Sequence, residues 1–274
     1  MPEEHKRHKP AGKKGTDRRS ASGYATPLIS VITITYNAEK QIADTVRSVA
    51  EQSFRNYEHI IIDGASTDGT IAKVRMQGPK SLRVLSEPDD GLYDAMNKGI
   101  DMARGKYLIF LNAGDTFHGS DTLALYAEAA KSSPDIIYGD TIIVDADRNF
   151  LRPRHLQAPA VLTARSFLNG MLVCHQAFMV RRKIAPYYDL RYRFSADYDW
   201  CLRSIMASRP GCRYNLGRVT IDYLDDGLTE KNKIASLKER FSIMKHHFGL
   251  ASAIIAHIGF IPRAVARKIR KAWH

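Results

Sequence analysis

The chain has 274 residues, of which 44% are hydrophobic, so it can bury one large α/β core or two smaller ones. Its formal net charge of +12 is concentrated at the ends: residues 1–26 have seven Lys and Arg against three acids, and residues 250–274 have five against none. A nearly neutral body between basic ends is typical of an enzyme with surface-seeking or merely solvated tails. It argues against a nucleic-acid groove, and we expect no nucleic-acid partner.

The cysteines and the apolar stretches indicate the cellular compartment. Cys174, Cys201 and Cys212 have neither the even number nor the paired spacing of a disulfide framework or a zinc site. Residues 1–20 have no apolar segment, so we expect no secretory signal of the usual design. The longest apolar stretch, 250–262, has 13 residues, whereas a spanning helix needs about 20. We expect a cytoplasmic protein, either free or peripheral on the inner face of the plasma membrane.

Strands and helices alternate through the first half of the chain. After an arm at 1–26 with the composition of a disordered segment, a strand is predicted at 28–35, where both faces are apolar, as in a central parallel strand. The alternation that follows predicts a parallel sheet. The next predicted elements are a helix at 38–52, a strand at 57–63, a helix from 68, a strand at 82–85, a helix at 92–103 and a strand at 107–111.

The second half alternates less regularly. Strands are predicted at 135–144 and 174–180, and helices at 196–206, 230–248 and 252–271. The last helix begins with apolar residues and ends with basic ones, a pattern that suits an interfacial helix facing anionic lipid. Packing of this helix against the body of the protein is the alternative.

Polar residues follow four strands of the first half, at the edge where a parallel sheet binds ligands. No glycine-rich phosphate loop follows the first strand, which argues against dehydrogenases and ATPases. Tyr36 and Asp63 could instead offer an aromatic face and a carboxylate to a nucleoside. Asp63 could equally begin an Asx turn, and Asp68 is expected to cap the next helix. Asp115 ends an apolar strand, where Mg²⁺ or Mn²⁺ is a natural partner, a solvated turn being the alternative.

Four motifs in this order resemble glycosyltransferase family 2. They are Ser-Val-Ile-Thr-Ile-Thr-Tyr-Asn at 30–37, Asp-Gly-Ala-Ser-Thr-Asp at 63–68, Asp-Gly-Leu-Tyr-Asp-Ala-Met-Asn-Lys-Gly-Ile at 90–100 and Phe-Leu-Asn-Ala-Gly-Asp at 110–115. The resemblance covers about 27–229 and includes Cys-His-Gln at 174–176 and Ala-Asp-Tyr-Asp-Trp at 196–200. It implies an α/β protein of the GT-A type, with a Rossmann-like mixed sheet flanked by helices. Amphipathic helices would follow at the C-terminal end.

The resemblance also implies an activity. The activity is inverting transfer of a sugar from a nucleotide sugar, UDP-sugar being favoured, with Mn²⁺ or Mg²⁺ as cofactor. The acceptor would be a glycan, lipid-linked in particular, in surface polysaccharide biosynthesis.

The extent of the resemblance, together with the composition of the two ends, predicts a division of the chain. A disordered basic arm is expected at 1–26 and a GT-A domain at 27–229, with a nucleotide-binding half (27–115) and an acceptor half (116–229). A helical segment that could associate with an anionic membrane is expected at 230–274.

Donor-site roles follow residue by residue from the resemblance. Asp63 matches the acid that contacts the nucleoside, and Asp90 matches a polar contact at the donor. Asp115 matches the last acid of the Asp-x-Asp type metal motif. Asn112 and Gly114 stand where acids are often found, so the strictness of the metal dependence stays open. Asn112 is retained as a candidate donor contact.

Inversion by a single in-line displacement needs a carboxylate that faces the acceptor hydroxyl, and Asp197 is the matching residue. A helix cap is its alternative role, and Asp199 is expected to point away from it. His175 is either a substrate contact or a core histidine. Lys98 and Arg203 could assist the leaving diphosphate or lie on the surface.

Two other functional hypotheses are alternatives to a transferase. A sugar nucleotidyltransferase would need a glycine-rich basic loop after the first strand, and Tyr36-Asn37-Ala38-Glu39 is not one. A catalytically degenerate GT-A-fold binding protein would have no need of Asp63, Asp115 and Asp197.

Overall fold

The computed structural model describes residues 26–79, 81–225 and 232–260. The strands are β1 Ile29–Thr35, β2 Tyr57–Asp63, β3 Arg83–Ser86, β4 Tyr107–Phe110, β5 Thr116–Phe117, β6 Ile136–Val144, β7 Phe150–Pro153, β8 Phe178–Arg181 and β9 Arg213–Leu224. The helices are α1 Ile42–Ala50, α2 Thr70–Gln77, α3 Leu92–Met102, α4 Thr122–Ala130, α5 Ala196–Ala207, α6 Lys233–Phe248 and α7 at 250–260. Short 3₁₀ turns lie at Ala164–Asn169, His175–Ala177 and Arg182–Ile184.

The strands form one mixed sheet in the order β3-β2-β1-β4-β8-β6-β9-β5, with β7 paired to β6. The first four strands are parallel, as the alternation of elements predicts. β8 then runs antiparallel to both β4 and β6, while β6 and β9 are parallel to each other. The α/β fold with a mixed sheet flanked by helices is thus confirmed.

Helices cover both faces of the sheet. All seven residues of β1 are buried, because its side chains alternate between two apolar layers. On one face Ile32 and Ile34 pack in a cluster that includes Met96 of α3 and Trp200 of α5. On the other face, the clusters include residues from α1, α2 and α4. This two-sided burial explains why the β1 sequence is a continuous apolar run.

Four elements are absent from the sequence prediction: α4, β5, β7 and β9. Helix α4 is buried on most of its surface and therefore has no amphipathic pattern to detect. β9 is only partly buried, contains Gly217 at φ +61° and pairs with β6 through register shifts, all of which weaken a strand signal. The strand expected at 174–180 is wrong in its first part, because the Ala177 N–H donates to the Cys174 carbonyl and closes a 3₁₀ turn before β8.

Several expectations lie outside the described residues. They are the disordered arm, apart from residue 26, and the helix beyond residue 260. Within the described residues the helix expected at 252–271 runs from 250 to 260, and none of the helices there has the length and apolarity to cross a bilayer. The division into domains stays a prediction.

Gly105 offers a test of how tightly the sheet is packed. A Cβ at this position would lie 2.6 Å from the Ser30 backbone nitrogen and 2.8 Å from the Ile29 carbonyl carbon, and backbone atoms in a central strand cannot move aside. We expect Gly105→Ala to lower the free energy of unfolding by about 2–3 kcal/mol. Urea unfolding measures the change.

The matched control is Gly259→Ala in α7, where a Cβ would have no neighbour within 4 Å. Because alanine favours a helix over glycine, this variant should be unchanged or more stable by up to about 1 kcal/mol. Equal stability losses in the two variants would contradict the packing at Gly105.

Candidate active site

The loops that follow β1 and β2 are joined by hydrogen bonds at the carboxyl edge of the sheet. The Asn37 N–H donates to Ser66 Oγ at 2.8 Å, and Asn37 Oδ1 accepts from the Thr67 N–H at 2.9 Å. Asp68 accepts from the N–H groups of Glu39 and of Thr70, the first residue of α2, although the N-cap position is Gly69 and Asp68 precedes it. These contacts hold the loops that contain Tyr36, directly after β1, and follow Asp63, the last residue of β2.

An exposed aromatic ring stands at this edge beside an acid. Tyr36 is 65% exposed, so a face of its ring is open to a planar ligand. A Cβ at Gly64 would lie 2.6 Å from Asp89 Oδ2 and 3.3 Å from the Tyr36 ring. Only glycine therefore leaves room for these two side chains to lie so close to the backbone.

Asp63 is fully buried and hydrogen-bonded within the protein. Its carboxylate accepts from the Ser66 N–H at 3.0 Å, from Ser66 Oγ and from Ser86 Oγ at 2.6 Å. The bond to Ser66 forms the Asx turn that the sequence left open. A carboxylate has about four acceptor positions, so one more donor can still be accommodated. Contact between Asp63 and a nucleoside stays a prediction.

Asp90 and Asp89 have different surroundings. Asp90 is exposed, and its backbone N–H donates to Asp94 at 3.2 Å at the start of α3. Asp89 is half-buried, approaches Gly64 and accepts from the Gly91 N–H at 2.9 Å. Asp89 and Tyr36 thus both lie against Gly64, and sequence reasoning missed Asp89 because the resembling motif begins one residue later. Lys98 pairs with Glu87 at 2.9 Å and holds this loop.

Asp115 lies in a turn after β4 that three parts of the chain hold in place. It is 5% exposed, and its carboxylate accepts from Gln176 Nε2 at 2.7 Å and from the Leu224 N–H at 3.1 Å. Its own carbonyl accepts from Thr45 Oγ1 at 2.8 Å. Gln176 lies within the Cys-His-Gln motif, but nothing in the sequence pairs it with Asp115.

The residues around Asp115 fit a divalent cation of the oxygen-preferring kind. The Asp115 N–H donates to the Asn112 carbonyl at 3.1 Å, so both residues belong to one turn. Asn112 Oδ1 is buried and has no hydrogen-bond partner among the described residues, which makes it a candidate oxygen ligand. The described residues contain no group of three or more His, Cys, Asp or Glu side chains arranged around a metal. Mg²⁺ and Mn²⁺ do not need one where a substrate diphosphate supplies further oxygens.

A buried aromatic cluster lies next to this turn. His175 Nε2 is hydrogen-bonded to Tyr188 Oη at 2.5 Å, and Tyr188 stacks on Trp200 with ring centroids 5.1 Å apart and on Tyr93 at 5.7 Å. Burial lowers the pKa of His175 to about 4, although the negative charge of Asp197 opposes the shift. His175 is therefore a neutral core residue, one of the two roles left open by the sequence, and it precedes β8 rather than beginning it.

The aromatic cluster contacts Asp197 through Tyr93. Tyr93 Oη donates to Asp197 Oδ1 at 3.2 Å, and burial raises the pKa of Tyr93, so the phenol keeps its proton. Asp197 is in the first turn of α5 and is partly exposed, with no hydrogen bond that would make it the cap of that helix. Tyr93 is in the motif at 90–100, yet its contact with α5 could not be read from the sequence.

Asp199 points away from Asp197, as helical geometry predicts. It is 3% exposed and pairs with Arg203 at 2.6 Å and with His247 of α6 at 3.0 Å. Arg203 also donates to the Tyr187 carbonyl at 2.7 Å. This network ties α6 to α5, so Arg203 is engaged in structural contacts.

The fold, a mixed sheet flanked by helices, is that of the GT-A glycosyltransferases. The structure of S. aureus TarS 1–349 matches with a TM-score of 0.65 at 18% identity, over 85% of this chain and 72% of that one; TarS 1–349 is also known in complex with UDP and with UDP-GlcNAc. The mannosyltransferase PcManGT from Pyrobaculum calidifontis, in complex with GDP-Man and Mn²⁺, matches with a TM-score of 0.57 at 16% identity, over 91% and 81%.

The sequence identifies the family within this fold class. The model of glycosyl transferase family 2 matches residues 30–187. A PGL/p-HBAD biosynthesis glycosyltransferase of Mycobacterium bovis is 35% identical over 188 residues, 65% of this chain and 70% of that protein. The amylovoran biosynthesis glycosyltransferase AmsB of Erwinia amylovora is 29% identical over 211 residues, 68% of this chain and 69% of that protein. The chain belongs to glycosyltransferase family 2 and is a transferase.

The burial of His175 predicts a pH dependence of stability. Its pKa is about 4 in the folded protein and about 6.5 when unfolded, so the unfolded state binds the proton more readily. The contribution of this group is fully present above pH 6.5 and is lost as the pH falls towards 4. When the pH falls from 6.5 to 4.5, the free energy of unfolding of wild type should decrease by about 2 kcal/mol more than that of His175→Gln. Urea unfolding across this range measures both slopes, and equal slopes would contradict a buried neutral His175.

Proposed function

We propose that this enzyme transfers a sugar, with inversion, from a nucleoside-diphosphate sugar to a hydroxyl of a glycan acceptor. The observation that carries the proposal is an unbroken series of contacts from Asp115 through Gln176 and the adjacent His175 to Tyr188, Tyr93 and Asp197. It holds a candidate cation ligand and a candidate base in a fixed relation. A single in-line displacement needs such an arrangement, since the leaving diphosphate and the base act on opposite sides of the sugar.

The donor would lie along the carboxyl edge of β1, β2 and β4. The exposed face of Tyr36 suits stacking with the base, and Asp89 or Asp63 suits a base N–H or a ribose hydroxyl. Asp90 lies in the loop just before α3 and would contact the sugar or a phosphate-bound cation. UDP is the favoured nucleotide, in line with the UDP and UDP-GlcNAc complexes of TarS.

Asp115 and Asn112 would hold the divalent cation, Mn²⁺ or Mg²⁺. When bound, such an ion neutralises the charge that develops on the departing diphosphate. Gln176 and the Leu224 N–H keep the Asp115 carboxylate in one orientation. This preorganisation compensates in part for the neutral residues Asn112 and Gly114.

Asp197 would accept the proton of the attacking hydroxyl. The protonated Tyr93 donates to Oδ1, which fixes the rotamer of Asp197 and leaves Oδ2 for the acceptor. Tyr188 stacks on the Tyr93 ring and is itself held by stacking on Trp200 and by its hydrogen bond with His175. A base that is already oriented loses little entropy when the acceptor binds.

The acceptor is proposed to be a lipid-linked glycan in surface polysaccharide or glycolipid biosynthesis, in the cytoplasm. The support is the naming of two relatives for PGL/p-HBAD and amylovoran biosynthesis. A catalytically degenerate binding protein is disfavoured by the contact series to Asp197, which a binder would not need. A sugar nucleotidyltransferase is disfavoured by the loop at 36–39, which is not glycine-rich.

Nucleotide binding gives the first test of the donor site. We expect UDP with Mn²⁺ to raise the melting temperature more than GDP, dTDP or CDP, because a ligand that binds only the folded state stabilises it by mass action. At 100 times Kd the gain is about 2.7 kcal/mol. Asp115→Asn should lose the Mn²⁺-dependent part, whereas Asp101→Asn on the outer surface of α3 should keep it. The absence of a shift with any nucleotide would favour the degenerate binder.

Asp197→Asn tests the base. An amide cannot accept the proton at neutral pH, so we expect kcat to fall by about 10²–10⁴ while the affinity for the nucleotide is unchanged. Initial rates of sugar transfer and the UDP-dependent melting shift measure the two properties on the same protein. Asp101→Asn serves again as the control. Full transferase activity of Asp197→Asn would refute the assignment, whatever the stability of the variant.

A further inference from the structure

The outward side of α7 is apolar. Residues 250–260 contain no Asp, Glu, Lys or Arg, and four large aliphatic side chains of this helix are strongly exposed. Together with Leu237 of α6 we call them the apolar face; its members are Leu237 (44% exposed), Leu250 (51%), Ile254 (43%), Ile255 (72%) and Ile258 (61%). A helix that faces water is expected to be charged or polar on that side. A contiguous group of this kind marks a surface that contacts something less polar than water.

The opposite side of α7 is fixed to the body of the protein. Ala253 is fully buried, and Ala256 and Phe260 pack against the main core cluster. The His257 ring contacts the rings of Phe241 and Phe260, with centroids 5.0 and 5.1 Å apart. The outward side is therefore presented in a defined direction. Because the inward side is already packed, α7 cannot rotate to bury its exposed apolar residues.

Positive charge accompanies the apolar face. Arg165 lies with Ser252 and Ile255 around a groove of about 250 Å³ between α7 and the 3₁₀ turn at 164–169. Lys238 and Lys245 are exposed on α6. The sequence that follows α7, residues 261–274, adds five Lys and Arg and no acid. Aliphatic side chains flanked by bases complement a surface with an apolar interior and anionic head groups.

We propose that α7 docks this enzyme on an anionic lipid bilayer, with the apolar face inserted at the level of the head groups and Arg165 against a lipid phosphate. Charge complementarity and the fixed outward direction of the apolar residues support this docking. The inference goes beyond sugar transfer and does not depend on Asp115 or Asp197. It gives the enzyme a position at the surface where a lipid-linked acceptor would be found.

Flotation with vesicles tests the docking. The full chain should bind vesicles of phosphatidylcholine with 30% phosphatidylglycerol and bind pure phosphatidylcholine at least tenfold more weakly. Ile255→Gln/Ile258→Gln should lower the affinity for the anionic vesicles at least tenfold, since burial of two large aliphatic side chains is lost. Arg165→Gln should reduce the preference for the anionic lipid. Both replaced isoleucines are exposed, so the double variant is expected to fold, and its melting temperature checks this.

The matched control is Met76→Gln/Phe150→Gln, which removes two other apolar side chains that are 70% and 61% exposed, on α2 and β7. It should bind anionic vesicles like wild type and thereby separate the apolar face from general surface apolarity. Equal binding by the α7 double variant and the wild type would overturn the proposal. A second result would also overturn it: the wild type fails to bind the vesicles, and sedimentation velocity detects a dimer that the α7 double variant abolishes. In that case a second copy of the chain would cover the apolar face. Failure of the transferase assay would leave the vesicle result unaffected.

Discussion

The placement of one buried carboxylate governs the arrangement of the candidate site. Asp115 ends the apolar segment after β4, where an unsatisfied charge would be costly, and Gln176 and the Leu224 N–H satisfy it at 2.7 and 3.1 Å. These bonds connect three regions that are far apart in sequence: the turn after β4, the 3₁₀ turn before β8 and the end of β9. The carboxyl edge of the parallel strands and the second half of the chain are thereby held together around a polar centre.

The aromatic cluster connects this hydrogen-bonded centre to α5. Because Tyr188 is stacked between Tyr93 and Trp200 and hydrogen-bonded to His175, none of these rings can rotate without displacing the others. The rings are buried, so the polar contact from Tyr93 to Asp197 is held by packing. Apolar packing thus holds the Tyr93 hydroxyl and its contact with Asp197 in one geometry.

The sequence predicted the first half of the fold well because its signals are local. The run at β1, the periodicity of α1 and α3 and the acids after each strand depend on neighbouring residues only. The second half depends on pairings at long range: α4 is buried on most of its surface, and β9 acquires its strand conformation by pairing with β6. For the same reason the sequence could offer Asp115 as a candidate at a strand end and Asp197 as a candidate through its motif, whereas the contacts of Gln176, Tyr93 and Asp89 needed the folded chain.

The sheet order has a consequence for synthesis of the chain on the ribosome. β4 is the last strand of the parallel half, and its free edge is covered by β8, which follows only at Phe178–Arg181. Until that segment emerges, the nascent chain can form β3-β2-β1-β4 but exposes an apolar strand with unpaired backbone groups. The intervening residues, including α4 and β6, must remain free of incorrect pairing with that edge for as long as translation takes. Antiparallel insertion of β8 between β4 and β6 is thus the step that closes the nascent sheet.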